Sequence, residues 1–104
     1  MASSKQYLDY ILEQLSELND VSYRAMMGEY IIYYRGKLVG GIYDDRFLIK
    51  PTNAAKKLLP NAQFDLPYEG AKEMLLVDVT DDRQLMKKLI EVTSEELLAA
   101  KKKK

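Results

Sequence analysis

Residues 29–50, EYIIYYRGKLVGGIYDDRFLIK, constrain the fold more than any other part of the chain. Hydrophobicity there alternates at a period close to two, and two short polar breaks interrupt it. Arg35-Gly36 places a glycine where a two-residue hairpin needs positive φ. Asp44-Asp45 uses aspartates, which enter that region more easily than most residues. The stretch therefore predicts three antiparallel strands, about 29–34, 37–43 and 46–50. Strands joined this tightly need helices to cover one face of their sheet.

The flanking segments supply helices. Tyr7, Leu8, Ile11, Leu12, Leu15 and Leu18 recur at three- and four-residue spacing, which predicts a helix over 4–18. Ser3 or Ser4 is its expected N-cap, and Ser3 with Gln6 fits a capping box. After Pro51, Thr52 can cap a short helix over 53–59 that Pro60 stops. AQFDL and KEMLLVDV read as two further strands. Thr80 or Asp81 is the expected cap of a last helix whose stripe includes Leu85, Met86, Leu89, Ile90 and Leu97, with a break near Thr93 and Ser94. The fold class is α+β: two layers, an antiparallel sheet with helices on one face, in the order α-β-β-β-α-β-β-α. Residues 1–100 form one domain, and 101–104 are expected to be a basic disordered tail.

Two-residue turns also fix a register. Tyr34 should face Lys37, Ile32 face Val39, Tyr43 face Arg46 and Gly41 face Leu48. Ile31, Tyr33, Leu38, Gly40, Ile42, Phe47 and Ile49 would then lie under the helices. The other face would carry Tyr30, Ile32, Tyr34, Lys37, Val39, Gly41, Tyr43, Arg46, Leu48 and Lys50. Tyrosines with aliphatic residues and cations suit a protein interface or a homodimer contact. They also suit single-stranded nucleic acid, with bases stacked on Tyr30, Tyr34 and Tyr43 and phosphates on Lys37, Arg46 and Lys50. A half-exposed sheet that uses tyrosine only for its β-propensity is the third reading.

Composition narrows the chemistry. The 104 residues contain no cysteine and no histidine. Thiolate metal sites, disulfides, cysteine nucleophiles and the commonest general base are thereby removed. Sixteen basic residues balance sixteen acidic ones, yet four of the basic ones are Lys101 to Lys104. Without them the chain carries a net charge of −4, so no broad basic surface for nucleic acid is expected. With no apolar leader and no long apolar run, the expected location is cytoplasmic. Asp44-Asp45 and Asp81-Asp82 read as turn and cap residues. Glu29, Glu69 and Glu73 could meet in space, which keeps open a carboxylate enzyme or a Mg²⁺ site. Gly40-Gly41 marks a bulge or a close approach.

The stretch RAMMGEY, residues 24–30, stands just before the strands. Arg24 and Glu29 read as a polar pair bracketing the entry to the sheet, or as a small anchor for a partner. Met26 and Met27 read as filler in or near the core, and Gly28 as a bulge or a positive-φ residue. Arg24, Met26, Met27, Gly28 and Glu29 are followed by Tyr33, Tyr34, Gly36 and Lys37, and then by Asp44, Asp45, Arg46, Phe47, Leu48 and Lys50. The sequence thus resembles the TfoX N-terminal domain family over nearly its whole length. Met27 departs from the phenylalanine common at its motif position. Longer members continue into a C-terminal domain, where this sequence ends in lysines. The resemblance implies a fold like that of secretion chaperones and a role in transcriptional regulation of competence genes. It supplies no catalytic, cofactor or metal residues, and none is expected here. The expected function is therefore a non-enzymatic regulatory or adaptor domain acting through protein–protein contacts. A single-stranded nucleic-acid module is the alternative, and a carboxylate-based enzyme a more distant one.

Overall fold

Three turns of the same kind shape the sheet. Met27-Gly28, Arg35-Gly36 and Asp44-Asp45 each hold two consecutive positive φ angles, 53° and 86°, 53° and 79°, and 54° and 56°. That is the type I′ geometry, whose twist matches the strands it joins. The structure, a computed structural model, describes residues 4–102, with side chains described through Leu98. Ser3 as a cap, and the last two lysines of the tail, fall outside the described residues.

The chain runs α1 (Lys5–Gln14), β1 (Val21–Met26), β2 (Glu29–Tyr34), β3 (Lys37–Tyr43), β4 (Arg46–Ile49), α2 (Asn53–Leu58), β5 (Phe64–Asp65), β6 (Met74–Val77) and α3 (Arg83–Lys102). The expected elements follow one another as expected in an α+β domain, and one further strand, β1, precedes the expected three. The six strands form one antiparallel sheet in the order β1-β2-β3-β4-β6-β5. RAMMGEY is thus a hairpin rather than an entry hinge, and Gly28 takes the positive φ expected of it.

Helix starts follow local side-chain chemistry. The Ser4 hydroxyl accepts from the Tyr7 N–H at 3.1 Å, and Thr52 Oγ1 accepts from the Ala55 N–H at 3.1 Å. At α3 the cap is Asp82, which accepts from the Leu85 N–H at 3.1 Å, and not Thr80 or Asp81. Thr80 is taken up by α1: its carbonyl accepts from Gln14 Nε2 at 2.7 Å. The expected break at Thr93 and Ser94 is absent; both are buried in an unbroken helix that continues to Lys102, two residues into the lysine run. Glu96, on α3, accepts from the N–H groups of Asn53 and Ala54 at 2.9 and 2.8 Å. A carboxylate on one helix thereby satisfies the start of another. α1 ends at Gln14, four residues earlier than its apolar stripe suggested, but Leu15 and Leu18 still reach the core through hydrogen-bonded turns.

The core lies between the helices and one sheet face. Leu8, Ile11, Met86, Leu89 and Ile90 meet Ile32, Val39, Ile42, Phe47 and Ile49 there. The expected register holds at both turns, with Tyr34 facing Lys37 and Tyr43 facing Arg46. Between them it slips. Ile32 faces Gly40 rather than Val39, and Tyr30 faces Ile42 rather than Gly41, because a bulge interrupts β2–β3 after the Tyr33–Leu38 pair. One extra residue exchanges the faces beyond it. Gly40 shows the close approach involved: a Cβ there would lie 2.3 Å from the Leu48 carbonyl oxygen and 2.9 Å from the Ile49 Cα.

Candidate interaction surface

The bulge redraws the face expected to carry function. Tyr30, Ile32, Tyr34 and Val39 turn toward the helices, while Ile31, Tyr33 and Leu38 turn to the other side. Tyr34 is buried, with the Arg35 guanidinium 5.4 Å from its ring centre. Tyr30 packs partly on the core and meets the Tyr23 ring edge-on at 6.0 Å. Tyr43, Arg46 and Leu48 do lie on the helix-free side, as expected. The tyrosines of the expected stacking platform are therefore split between two faces.

Even the correctly placed residues are engaged. Pro67, Tyr68, Ala71, Lys72 and Glu73 lie against the helix-free side of β3, where they line a groove with Leu38, Tyr43 and Lys50. Tyr43 is only 8% exposed, with the Tyr68 ring 6.3 Å away. Burial, and then the Tyr68 hydroxyl beside it, push the Tyr43 phenol up. Leu48 is fully buried although no helix covers it. Arg46 clasps the start of this cover. Its Nη1 donates to Asp65 Oδ2 at 2.6 Å and to the Leu66 carbonyl at 3.1 Å, and its Nε donates to the Tyr43 carbonyl at 3.1 Å. The hydrogen bond from Arg46, and then the Leu66 N–H, hold the Asp65 carboxyl below its ordinary value. Arg46 is therefore a structural clasp rather than a phosphate ligand. Lys50 lines a groove of about 350 Å³ with Tyr68, Lys72 and Met74 under the same cover. Lys37 stands half-buried beside the second turn, opposite Tyr34.

The uncovered part of the helix-free side belongs to β1 and β2. Ser22, Arg24 and Met26 are exposed on β1, and Glu29, Ile31 and Tyr33 are half-buried beside them. Glu29 Oε1 accepts from the Asp44 N–H at 3.1 Å, which ties β2 to the third turn. Met26 and Met27 are not filler: Met27 is 96% exposed at the tip of the first hairpin, and Met26 is exposed beside it. A turn residue has no sheet face to bury, which is why an apolar residue there stays outside. The alternation in VSYRAM, with a glycine at the second turn position as in Arg35-Gly36, was the available signal for β1.

Asp44 and Asp45 form the third turn, Asp82 caps α3, and no group of three or more acidic side chains among the described residues could hold a metal ion. Among the described residues no helix is long and apolar enough to cross a membrane.

No solved structure matches the chain. A protein of Spirochaeta aurantia, described as an "Uncharacterized 12.7 kDa protein in trpE 5′ region", is 33% identical over 105 residues, covering 100% of this chain and 91% of that protein. The family model for the TfoX N-terminal domain matches residues 13–97, from the end of α1 through most of α3. The chain belongs to the TfoX N-terminal domain family.

Proposed function

We propose that this domain is a cytoplasmic regulator that works by binding another protein rather than by catalysis, in transcriptional control of the competence type. Family membership supports the regulatory class. The observation that carries the mode of action is the uneven cover of the helix-free sheet face. Residues 66–73 line a groove with Leu38, Tyr43 and Lys50 on its β3–β4 side, while Arg24, Met26, Ile31 and Tyr33 are left at the surface. Aliphatic and aromatic carbon with a neighbouring guanidinium is the usual make-up of a protein contact. A partner docked there would extend to the other half of the face the covering that the loop provides.

Transcript profiling tests this reading. A deletion strain of the host should show a defined set of altered transcripts, and a strain carrying Ile31→Asp with Tyr33→Ala should reproduce it at normal protein level. A folded double variant that leaves those transcripts at wild-type levels would overturn the assignment to this face.

A further inference from the structure

We infer that β1 is the contact edge of a symmetric dimer, in which a second copy of this chain pairs antiparallel with β1 about Tyr23 and continues the sheet through both copies. The inference goes beyond the regulatory reading, because it concerns the sheet edge and can be tested on the purified chain.

The hydrogen-bond parity of β1 comes first. Met26 faces Glu29 across the first two-residue turn, and the Asp20 carbonyl accepts from the Arg35 N–H at 2.9 Å. Asp20, Ser22, Arg24 and Met26 therefore direct their backbone polar groups at β2. Val21, Tyr23 and Ala25 direct theirs outward. β1 is the outermost strand, so these groups form a row ready to pair with another strand. β1 contains no proline, no lysine and no bulge, and Arg24 is its one charged residue.

Self-complementarity selects the occupant. Two antiparallel registers pair nearly the whole of β1 with a copy of itself on matching faces. The register centred on Arg24 sets one guanidinium opposite another, which is unfavourable. The register centred on Tyr23 sets Tyr23 opposite Tyr23, Arg24 opposite Ser22 and Ala25 opposite Val21. It also carries the second copy's Met27 to a position opposite Asn19. That position is about 7 Å along the strand from Val21, within reach of a methionine side chain. A groove of about 410 Å³ opens there, lined by Leu12, Leu15, Leu18 and Val21. The molecule thus carries an almost fully exposed apolar knob at one end of its open edge and an apolar groove at the other. A two-fold axis through Tyr23 seats each knob in the other copy's groove, as an isologous contact requires.

The chain's lack of cysteine makes the test direct. In this register the two Tyr23 positions form a hydrogen-bonded pair, with Cα atoms about 5.5 Å apart, within the range a disulfide spans. Sedimentation equilibrium of the wild type should give twice the mass of one chain, and Tyr23→Cys should oxidise to a covalent dimer while Lys88→Cys forms no disulfide-linked dimer. Ala25→Pro removes one outward N–H that the sheet does not use. Met27→Gly removes the knob and relieves its positive φ. Both should weaken association at least tenfold while keeping the wild-type circular dichroism. A wild type that stays monomeric at millimolar concentration, or a dimer that neither variant weakens and Tyr23→Cys does not lock, overturns the inference, whatever else binds the edge.

Discussion

Leu48 and Ile31 stand on the same face of the same sheet, two strands apart. Leu48 is fully buried and Ile31 is half open. Neither lies under a helix. The difference is residues 66–73, which start at the Arg46 clasp and line a groove beside Leu38, Tyr43 and Lys50. The two sheet edges repeat the contrast. β5 is two residues long and runs straight into the cover, whereas β1 offers six residues with five of them exposed. An antiparallel sheet can leave one face to solvent when that face is polar. Here the uncovered part sets Ile31 and Tyr33 among Ser22, Arg24 and Glu29, the mixed surface on which the proposed protein contact rests.

Truncations should separate the two halves. Leu48→Ala opens a cavity in a sealed site and should cost about 2–5 kcal/mol in urea denaturation. Arg46→Ala removes three hydrogen bonds from a partly buried guanidinium. It should cost about 1–2 kcal/mol and raise amide exchange through residues 66–73 while β1 and β2 are unchanged. Ile31→Ala, on the uncovered half, should cost less than about 1 kcal/mol. Met27→Gly should raise stability by about 0.5–1 kcal/mol, because a methionine held at φ 53° is strained where glycine is not.

Within the sheet, acid should act on the covered half. The folded Asp65 carboxyl titrates below the ordinary 3.8, so its contribution is present above that value and is lost as pH falls through the lower, folded one. Exchange in residues 66–73 should therefore rise below about pH 4, and Arg46→Ala should abolish that dependence.

Turn chemistry made much of this fold legible. Arg35-Gly36 and Asp44-Asp45 placed three strands to within a residue of their observed limits. Period located α1 and α3, because their apolar stripes face a real core, and the Thr52 cap between Pro51 and Pro60 located α2. The exposed site was harder to read. The bulge between β2 and β3 depends on how closely the Gly40 backbone can approach the Leu48 carbonyl, a three-dimensional fit that no local pattern encodes. Once it slipped the register, Tyr30 and Tyr34 left the face where Tyr43 stayed. β1 was missed because its exposed residues give no apolar stripe, and because Met27 occupies a turn position usually held by Asn, Asp or Gly. The cover over Tyr43 and Leu48 comes from Pro67, Tyr68 and their neighbours, whose reach across the sheet follows from where β5 and β6 pair.

Hydroxyl-radical footprinting with peptide mass spectrometry tests the division of the sheet most directly, since tyrosine and methionine sample both halves. Met27 and Tyr68, 96% and 64% exposed, should be modified rapidly in dilute protein. Tyr34, Tyr43 and Met86 should be modified only when the chain unfolds. Modification of Tyr34 and Tyr43 in the folded protein at the rate of Tyr68 would contradict the account and restore a single exposed tyrosine face.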